Sequence, residues 1–422
     1  MKIKELFNAK KKLFLILSGI ILLSIPIICL AVSLSNSKNQ LIFGNYSSYM
    51  SPKVQSKIAN KYGVEYTYYD SNDYIASNLR NNALDIFVTT SYEISSLASN
   101  NLLAKIDWSQ FHLENISNAN DALNLFTDPV QTLLNSYDLD IDGKNDNLLN
   151  YAIPYFVQDL VFIYRGEQGN ISDNASWKDI MNFIINDNRF SNKNHLPKIG
   201  IIDDNRTIFS LSRIIENELK NNQNENIGPN NNENINDLKK VYMVLANYLS
   251  KLNKPSTLLA DSNSLLNKIA KNELSGAILY NGDGIFAGIG GDDEVSIDKN
   301  SFHVIKPTNT LIALDLIAIN KKIESNNMNK AYDIINNLCL KFDENNIDQS
   351  YIYDNFDYVN YTPVLKKFYD FILDNGYFDD YQLVDNLKTL YKITNALYFE
   401  KAISSVAKSN LSFAYIDFKS SI

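Results

Sequence analysis

The sequence predicts an α/β protein with a parallel sheet, and residues 41–104 carry the clearest signal. Three short apolar runs that are typical of strands alternate there with three amphipathic segments that are typical of helices. Strands that are connected through helices run parallel and are covered on both faces. Ligands of such sheets bind beyond the carboxyl ends of the strands, so that edge is the predicted binding surface.

The first helix of this region has the residues that start an α-helix. The apolar run LIFGNY is followed by Ser51, which suits the N-cap position, and by Pro52 at the first helical position. Val54, Ile58 and Tyr62 then recur on one face. The runs VEYTYYD and LDIFVTTSY are the predicted second and third strands, with a capped helix between them.

Hydroxyl-bearing side chains follow the first and third of these strands. They are Tyr46, Ser47, Tyr49, Thr90 and Tyr92. Because the carboxyl ends of parallel strands meet at one edge of a sheet, we expect these side chains to lie on a common binding surface.

The composition is acidic. The chain has 48 Asp and Glu residues against 39 Lys and Arg residues, and its formal charge is −9. The first twelve residues are basic, so the remainder is more acidic than the total. An acidic body argues against nucleic-acid binding, because phosphates require a basic surface. It favours a cationic ligand through the long-range electrostatic field.

Cysteine and histidine form no recognisable catalytic or metal-binding pattern. Cys29 and Cys339 are far apart, and the three histidines have no second ligand at helical or hairpin spacing. The order of residues also offers no Ser/His/Asp or Cys/His nucleophile. We therefore predict a protein that is not an enzyme and that uses no cofactor.

The amino terminus has the pattern of a membrane segment. Lys10–Lys12 precede the uncharged run Leu13–Ser33, which is long enough to span roughly 30 Å of hydrocarbon as a helix. Basic residues before such a run place the start inside and the rest outside. We predict either an uncleaved anchor at residues 13–33 or a lipoprotein signal, with Cys29 as the candidate for lipidation. In both cases the body is extracytoplasmic and anchored at the cell membrane.

Eight motifs follow one another along the chain after this segment. In order they are LIFGNYSSYMSPKVQSKIANKYG, LDIFVTTSYEISSLASNNLLAKID, YAIPYFVQDLVFIY, SWKDI, IGIIDDNRTIFSLSRII, GAILYNGDGIFA, LIALDLIAIN and YTPVLKK. The series resembles the spermidine/putrescine-binding proteins of ABC transporters, a family of bacterial extracellular solute-binding proteins. The resemblance implies a two-lobed type II periplasmic-binding-protein fold that closes on a ligand between its lobes.

This resemblance implies a division of the chain into three parts. Residues 1–37 are the membrane anchor or signal segment, residues 38–156 and 311–355 form lobe 1, and residues 157–310 and 356–422 form lobe 2. Within lobe 2, residues 220–237 are polar and of low complexity, so we expect a disordered surface loop there.

The family's pocket places aromatic rings against the methylene chain of a polyamine and carboxylates against its ammonium groups. A ring face attracts an ammonium by about 0.5–2 kcal/mol, and a charge-assisted hydrogen bond contributes roughly 1.5–3 kcal/mol. The resemblance assigns Tyr46, Tyr49, Tyr92 and Tyr280 to the rings, Ser47 and Thr90 to the same loops, and Asp204 and Asp315 to the ammonium ends.

Three positions depart from the family's pattern. Ala313 stands where the family has a tryptophan, Ser48 where it has a glutamate, and Thr207 where it has another carboxylate. One aromatic wall and two acidic groups are therefore missing. We hypothesise that Asp283 and Glu400 restore the charge. A shorter diamine, a differently placed polyamine or another cation would each fit the reduced set.

Three of the acidic residues also have structural interpretations. A carboxylate before a helix suits its N-cap, and we assign Asp203 to that role and Asp204 to the pocket. Asp315 lies between apolar residues in a predicted strand, where a carboxylate is costly without a partner. It either meets a ligand or stands at a strand end in water.

The segment DLDIDGKND resembles the first nine positions of a calcium-binding loop. Its candidate ligands are Asp138, Asp140, Asp142 and Asp146. Leu149 stands at the twelfth position, where such loops have a bidentate glutamate. A solvated acidic turn is the alternative, and we predict no other metal site.

The predicted function is that of the solute-binding subunit of an ABC importer, with a polyamine or another small cationic solute as ligand and with a permease and its ATPase as partners. Two alternatives remain open. A binding protein for a different small solute is favoured by Ala313 and the missing carboxylates. A surface interaction protein on the same fold is favoured by the long Asn-rich loops.

Overall fold

A computed structural model of the 422-residue chain describes most of its body. The described residues are 40–69, 72–137, 139, 146–191, 197–222, 227–252, 257–288, 290, 301–374, 391 and 397–422. The predicted membrane segment, Cys29, and the calcium candidates Asp138, Asp140 and Asp142 lie outside this set. Within it, no helix combines the length and the apolar character that a bilayer crossing requires.

The described part of the chain alternates between strands and helices. The strands are β1 (Leu41–Asn45), β2 (Val64–Tyr68), β3 (Ile86–Thr90), β4 (Ala152–Arg165), β5 (Ile199–Ile202), β6 (Thr257–Ala260), β7 (Gly276–Tyr280), β8 (Phe302–Ile305), β9 (Thr310–Ile319), β10 (Thr362–Pro363) and β11 (Leu397–Tyr398). The α-helices are α1 (Pro52–Tyr62), α2 (Ile75–Arg80), α3 (Ser91–Ser99), α4 (Ala119–Ala122), α5 (Asp128–Asn135), α6 (Trp177–Asn186), α7 (Asn205–Leu219), α8 (Ile235–Leu249), α9 (Ser262–Ala270), α10 (Asn281–Gly288), α11 (Ser325–Ile335), α12 (Tyr351–Val359), α13 (Lys366–Asp374) and α14 (Ser405–Ser421). The alternation predicted for residues 41–104 is confirmed as β1-α1-β2-α2-β3-α3.

The sheet is mixed, with the strand order β2-β1-β3-β9-β4-β7-β5-β6. β1 pairs parallel with β2 and β3, and β5 pairs parallel with β6 and β7. Between these groups, β4 and β9 run antiparallel to each other, and to β7 and β3 respectively. The parallel pairing predicted from residues 41–104 is confirmed for β1, β2 and β3, and no strand direction had been predicted for the centre. β4 leads from the first parallel group to the second, and β9 leads back. Because the two strands run in opposite directions and pair with each other, their pairing is antiparallel.

Helix α1 begins and ends where its residues predict. Ser51 holds the N-cap position and Pro52 is the first helical residue, although the Ser51 side chain makes no capping hydrogen bond. Gly63 ends the helix with φ of 69°, in the left-handed region that glycine adopts without strain. The apolar face, which includes Val54 and Ile58, is buried.

Two clusters of buried apolar residues cover the sheet. The first packs α1, α3, α11 and α12 against β1, β3 and β9, and the second packs α6, α7, α8 and α14 against β5. β7 contributes to both because its side chains alternate: Ala277 and Leu279 join the first cluster and Ile278 joins the second. Residues 41–422 form one compact unit, and the boundaries proposed for two lobes within it stay a prediction.

The polar segment 220–237 packs on the body where it is described, in contrast to the disorder expected from its composition. Ile227 is fully buried, and α8 begins inside the segment at Ile235. Glu233 accepts a hydrogen bond from Arg213. One apolar side chain and one ion pair thus hold residues that composition alone marks as unfolded.

Of the four calcium candidates, Asp146 lies among the described residues. It is buried, accepts a hydrogen bond of 2.8 Å from the Tyr151 hydroxyl, and pairs with Lys105 at 3.0 Å. Its carboxylate therefore already has a cationic partner. Across the described ranges, no group of three or more His, Cys, Asp or Glu side chains is placed to hold a metal ion.

Candidate functional site

A cleft of about 1080 Å³ lies where β1, β3, β5 and β7 end. All ten residues that the sequence assigned to ligand binding line it: Tyr46, Ser47, Tyr49, Thr90, Tyr92, Asp204, Tyr280, Asp283, Asp315 and Glu400. They come from six separate segments, which the carboxyl ends of the strands bring together. This convergence is a geometric finding, and ligand contact by these residues is a proposal.

Asp315 is one of the buried carboxylates that line the cleft. It lies in β9 and is 3% exposed. The Tyr49 hydroxyl and the Gln158 amide donate hydrogen bonds of 2.6 and 2.5 Å, both to Oδ2 and neither to Oδ1. Burial raises the pKa of Asp315 to about 6, while the two hydrogen bonds oppose the shift. No lysine or arginine of the described residues pairs with it, and a buried carboxylate without a cation is costly.

Asn72 organises the aromatic loops on one side of the cleft. Its Oδ1 accepts hydrogen bonds from the hydroxyls of Tyr46, at 2.5 Å, and Thr89, at 2.7 Å. Its Nδ2 donates to the hydroxyls of Tyr92, at 3.1 Å, and Thr90, at 3.3 Å. One amide thus fixes both loops that the sequence predicted. Asn72 itself escaped prediction, because in an Asn-rich chain a single asparagine carries little information.

Asp283 is connected to Asp315 through two tyrosines, Tyr361 and Tyr49. Its Oδ1 accepts a hydrogen bond of 2.6 Å from the Tyr361 hydroxyl, and the Tyr361 ring centroid is 5.2 Å from that of Tyr49. Burial raises the pKa of Asp283, and hydrogen bonding from Tyr361 and, to a smaller degree, Ser262 opposes the shift. Tyr361 belongs to the motif YTPVLKK but was not among the predicted site residues.

The Tyr280 side chain bonds within its own end of the cleft. Its hydroxyl lies 2.9 Å from that of Thr207, the residue that stands where the family has a carboxylate. Burial raises the pKa of Tyr280 well above its usual range. This tyrosine therefore stays neutral and presents a ring and a hydroxyl to the cleft.

Glu400 is not free to restore charge to the pocket, contrary to our hypothesis. The Arg206 guanidinium donates from Nε to Glu400 Oε2 at 2.6 Å, and the Ser210 hydroxyl donates to Oε1 at 2.5 Å. The same guanidinium lies over the Tyr92 ring, with Cζ 3.8 Å from the centroid. The Arg206 guanidinium thus contacts both the Glu400 carboxylate and one face of the Tyr92 ring. Sequence reasoning missed this role, although Arg206 was part of a recognised motif.

The prediction that Asp203 is the N-cap residue is wrong. Asp204 is the N-cap of α7, since its Oδ1 accepts a hydrogen bond of 2.7 Å from the Thr207 backbone N–H. Asp203 instead pairs with Lys419 at 2.8 Å. Asp204 still lines the cleft, where burial raises its pKa and Thr207 opposes the shift. Two adjacent carboxylates offer the same local signal, and only the position of α14 separates them.

The carboxylates that line the cleft outnumber its cations. Three of them pair with a basic residue: Glu93 with Lys408 at 2.9 Å, Asp203 with Lys419 at 2.8 Å, and Glu400 with Arg206 at 2.6 Å. Four have no lysine or arginine partner among the described residues, namely Asp204, Asp261, Asp283 and Asp315. The cleft therefore carries an uncompensated negative charge, which attracts cations.

Ala313 and Ser48, the two departures that remove a ring and a carboxylate, both line the cleft. Gln158 pairs with Ala313 across β4 and β9 and was also not predicted. Its polar side chain within the otherwise apolar run YAIPYFVQDLVFIY is the signal that could have identified it. The cleft is thus wider at this wall than a tryptophan would leave it.

The mixed α/β fold with this cleft is that of the periplasmic-binding-protein-like proteins. The sequence model of a family described as hypothetical lipoproteins (MG045 family) matches residues 7–377, and the chain belongs to that family. Membership in a lipoprotein family implies a membrane-anchored, extracytoplasmic protein. No curated protein matches the chain in sequence.

Solved structures of similar fold include a substrate-binding protein and a lipoprotein. The spermidine/putrescine ABC transporter substrate-binding protein PotD from Streptococcus pneumoniae is 16% identical with a TM-score of 0.58, over 91% of this chain and 99% of that one. The TpPotD lipoprotein of Treponema pallidum is 15% identical with a TM-score of 0.55, over 90% and 99%.

An enzyme has a similar fold too. Thiaminase I of Clostridium botulinum, in complex with thiamin, is 14% identical with a TM-score of 0.57, over 90% of this chain and 100% of that one. At these identities the likeness shows the fold alone. The fold therefore serves both binding and catalysis, and the side chains of the cleft must decide between them.

Proposed function

We propose that this protein is the solute-binding subunit of an ABC importer, that its ligand is a small organic cation, and that its cargo is a polyamine such as putrescine or spermidine. The observation that carries the proposal is Asp315, a buried carboxylate with one free oxygen and no cationic partner among the described residues. The lipoprotein family and the solute-binding fold support the same conclusion.

The chemistry of capture follows from the cleft wall. An ammonium group at Asp315 Oδ1 forms a charge-assisted hydrogen bond and replaces a missing countercharge. The rings of Tyr46 and Tyr49 lie edge to face, with centroids 5.7 Å apart, and offer apolar surface to methylene groups. Asp283 and Asp204 add negative charge on either side. Closure of the cleft would then present the loaded protein to a permease and its ATPase.

The absence of a reactive group supports binding over catalysis. The acidic residues that line the cleft bond to tyrosines, to backbone N–H groups or to lysine and arginine. Among the lining residues there is no histidine or cysteine to act as base or nucleophile. We therefore propose that the ligand leaves the cleft unchanged.

The test is calorimetric titration of the full-length chain in detergent with putrescine, spermidine and spermine. We expect binding to at least one amine, weakened by about 1.5–3 kcal/mol in Asp315→Asn. The matched control is Asp128→Asn, which removes the same charge from an exposed residue of α5 that pairs with Lys366. Its affinity should equal that of the wild type. Absence of both binding heat and thermal stabilisation with all three amines would refute the polyamine proposal.

A second candidate cargo is a bulkier organic cation. Ala313 leaves free the space that a tryptophan fills in the family that the sequence resembles. Thiamin, which is bound in the similar structure of thiaminase I, is such a cation and belongs in the same titration. Tighter binding of thiamin than of any polyamine would favour this candidate.

A further inference from the structure

Two residues predicted to line the ligand pocket, Glu400 and Tyr92, already contact a cation that belongs to the chain. Arg206 Nε lies 2.6 Å from Glu400 Oε2, and Arg206 Cζ lies 3.8 Å above the Tyr92 ring. A carboxylate beside an aromatic face is the arrangement that binds an alkylammonium. The guanidinium therefore stands where a ligand's ammonium group would otherwise bind.

The surroundings of Arg206 fit a smaller cation than a guanidinium. Nε bonds to Glu400 and Nη2 donates to the Lys401 carbonyl at 2.8 Å, but Nη1 is buried without a hydrogen-bond partner. A guanidinium has five N–H donors and an ammonium has three. The acceptors around Arg206 thus fall short of what its side chain needs.

The contact also crosses between the two core clusters. Tyr92 lies in the first turn of α3, which packs into the first cluster, whereas Arg206 lies in the first turn of α7, which packs into the second. Glu93, which follows Tyr92 in the chain, forms an ion pair with Lys408 of α14. A ligand that reaches this end of the cleft therefore meets a carboxylate that Arg206 already neutralises.

We propose that Arg206 fills an ammonium subsite formed by Glu400 and the Tyr92 ring, and thereby makes the cleft selective for a short diamine over spermidine. This inference rests on the proposed capture of an amine. Asp315, Asp283 and Asp204 serve the two ammonium groups of the diamine. The third ammonium of spermidine finds its subsite occupied and the carboxylate of that subsite already neutralised.

The experiment compares spermidine with its two mono-N-acetylated forms, which have nearly the same length and one charge fewer, by calorimetry on the full-length chain. In the wild type we expect spermidine to bind within about threefold of both acetylated forms. In Arg206→Met, which frees Glu400 and the ring, spermidine should gain at least about tenfold over at least one acetylated form. The double variant Arg206→Met/Glu400→Gln lacks both charges and should return to the wild-type ratio.

Arg213→Met is the second control, because it removes an arginine of the same helix that pairs with Glu233 and does not line the cleft. Its ratio should equal that of the wild type. A folded Arg206→Met with an unchanged ratio would overturn the inference. A wild type that prefers spermidine to both acetylated forms by more than about tenfold would also overturn the inference. This second comparison needs no variant, so it decides the question even if Arg206→Met does not fold. Titration with putrescine, spermidine and spermine tests the proposed function separately. If none of them binds, both proposals fall, whereas binding of an amine with an unchanged ratio in Arg206→Met overturns this inference alone.

Discussion

The Tyr49 hydroxyl donates a hydrogen bond of 2.6 Å to Asp315, although 266 positions separate the two residues. The bond joins the loop after β1 to the central strand β9, and Gln158 of β4 donates to the same oxygen. The Tyr49 ring also packs edge to face on Tyr361, which bonds to Asp283. Asp315 therefore links the aromatic wall, the central strands and the second acidic residue of the cleft.

Cation binding should weaken in acid. In the free protein burial raises the pKa of Asp315 to about 6, and a bound ammonium lowers it again by stabilising the carboxylate. Below about pH 6 binding must therefore release a proton, and the Kd of putrescine should rise up to about tenfold for each pH unit. Calorimetry in buffers of different ionisation enthalpy measures both the affinity and the released proton. Asp315→Asn should lack this transition; the same transition in that variant would assign it to another group.

Asp315 should lower the stability of the unliganded protein at neutral pH. Its pKa is about 6 when folded against an ordinary value of 3.8, so the folded state binds more protons between these values. The free energy of unfolding contributed by this group therefore falls as pH rises from about 4 to about 6.

We accordingly expect Asp315→Asn to be more stable than the wild type by about 1–3 kcal/mol at neutral pH, with a smaller difference near pH 4. The amide oxygen of the variant still accepts from Tyr49 and Gln158. Urea unfolding without ligand at both pH values measures the difference. A variant less stable than the wild type at neutral pH would show that the carboxylate has a partner.

Loss of the Asn72 side chain should weaken both the fold and ligand binding. Asn72→Ala leaves the buried hydroxyls of Tyr46 and Thr89 without their acceptor, at a cost of roughly 1–3 kcal/mol. Urea unfolding measures the cost, and titration with putrescine measures the affinity. The control is Asn186→Ala, whose exposed amide donates only to the Asn182 carbonyl, and its cost should stay within about 0.5 kcal/mol. Equal effects of the two substitutions would remove the organising role of Asn72.

Gly282 should tolerate no side chain, because a Cβ there would overlap the Tyr361 ring. Gly282→Ala must displace this ring and break its hydrogen bond to Asp283, so we expect a loss of about 1–3 kcal/mol in stability and weaker putrescine binding. At Gly284, two residues along α10, the nearest contact of a Cβ is Ile163 Cγ2 at 3.3 Å. Gly284→Ala should therefore cost less in thermal unfolding, and an equal or larger cost would contradict the ring contact.

The elements of the fold were predictable where the signal is local. The β1-α1-β2 segment follows from apolar periodicity and from Ser51, Pro52 and Gly63 at the helix ends. The position of Tyr46 and Tyr92 in a cleft follows from the rule for strand ends. Periodicity does not specify strand direction at the centre of the sheet, so the antiparallel pairing of β4 and β9 was not foreseen.

The cleft brings the predicted residues together, but their contacts and the roles of Asn72, Tyr361 and Arg206 were not predicted. Asp203 and Asp204 are equivalent as capping residues in the sequence, and Lys419 of α14 distinguishes them in space. The sequence does not show that Glu400 has a cationic partner, because that partner, Arg206, is 194 positions away. Local patterns contain no information about such distant partners.

The sequence by itself predicted that the residues at the ends of β1 and β3 face a binding surface, because strand ends depend on near neighbours along the chain. The acidic candidates came from the resemblance to a family. Only the tertiary structure decided which carboxylates remain without a cation. Asp315 and Glu400 are both buried acids of the cleft, yet one bonds to Tyr49 and Gln158 and the other to Arg206. The interaction of two charges depends on their distance and on the water excluded between them, and folding alone sets both quantities.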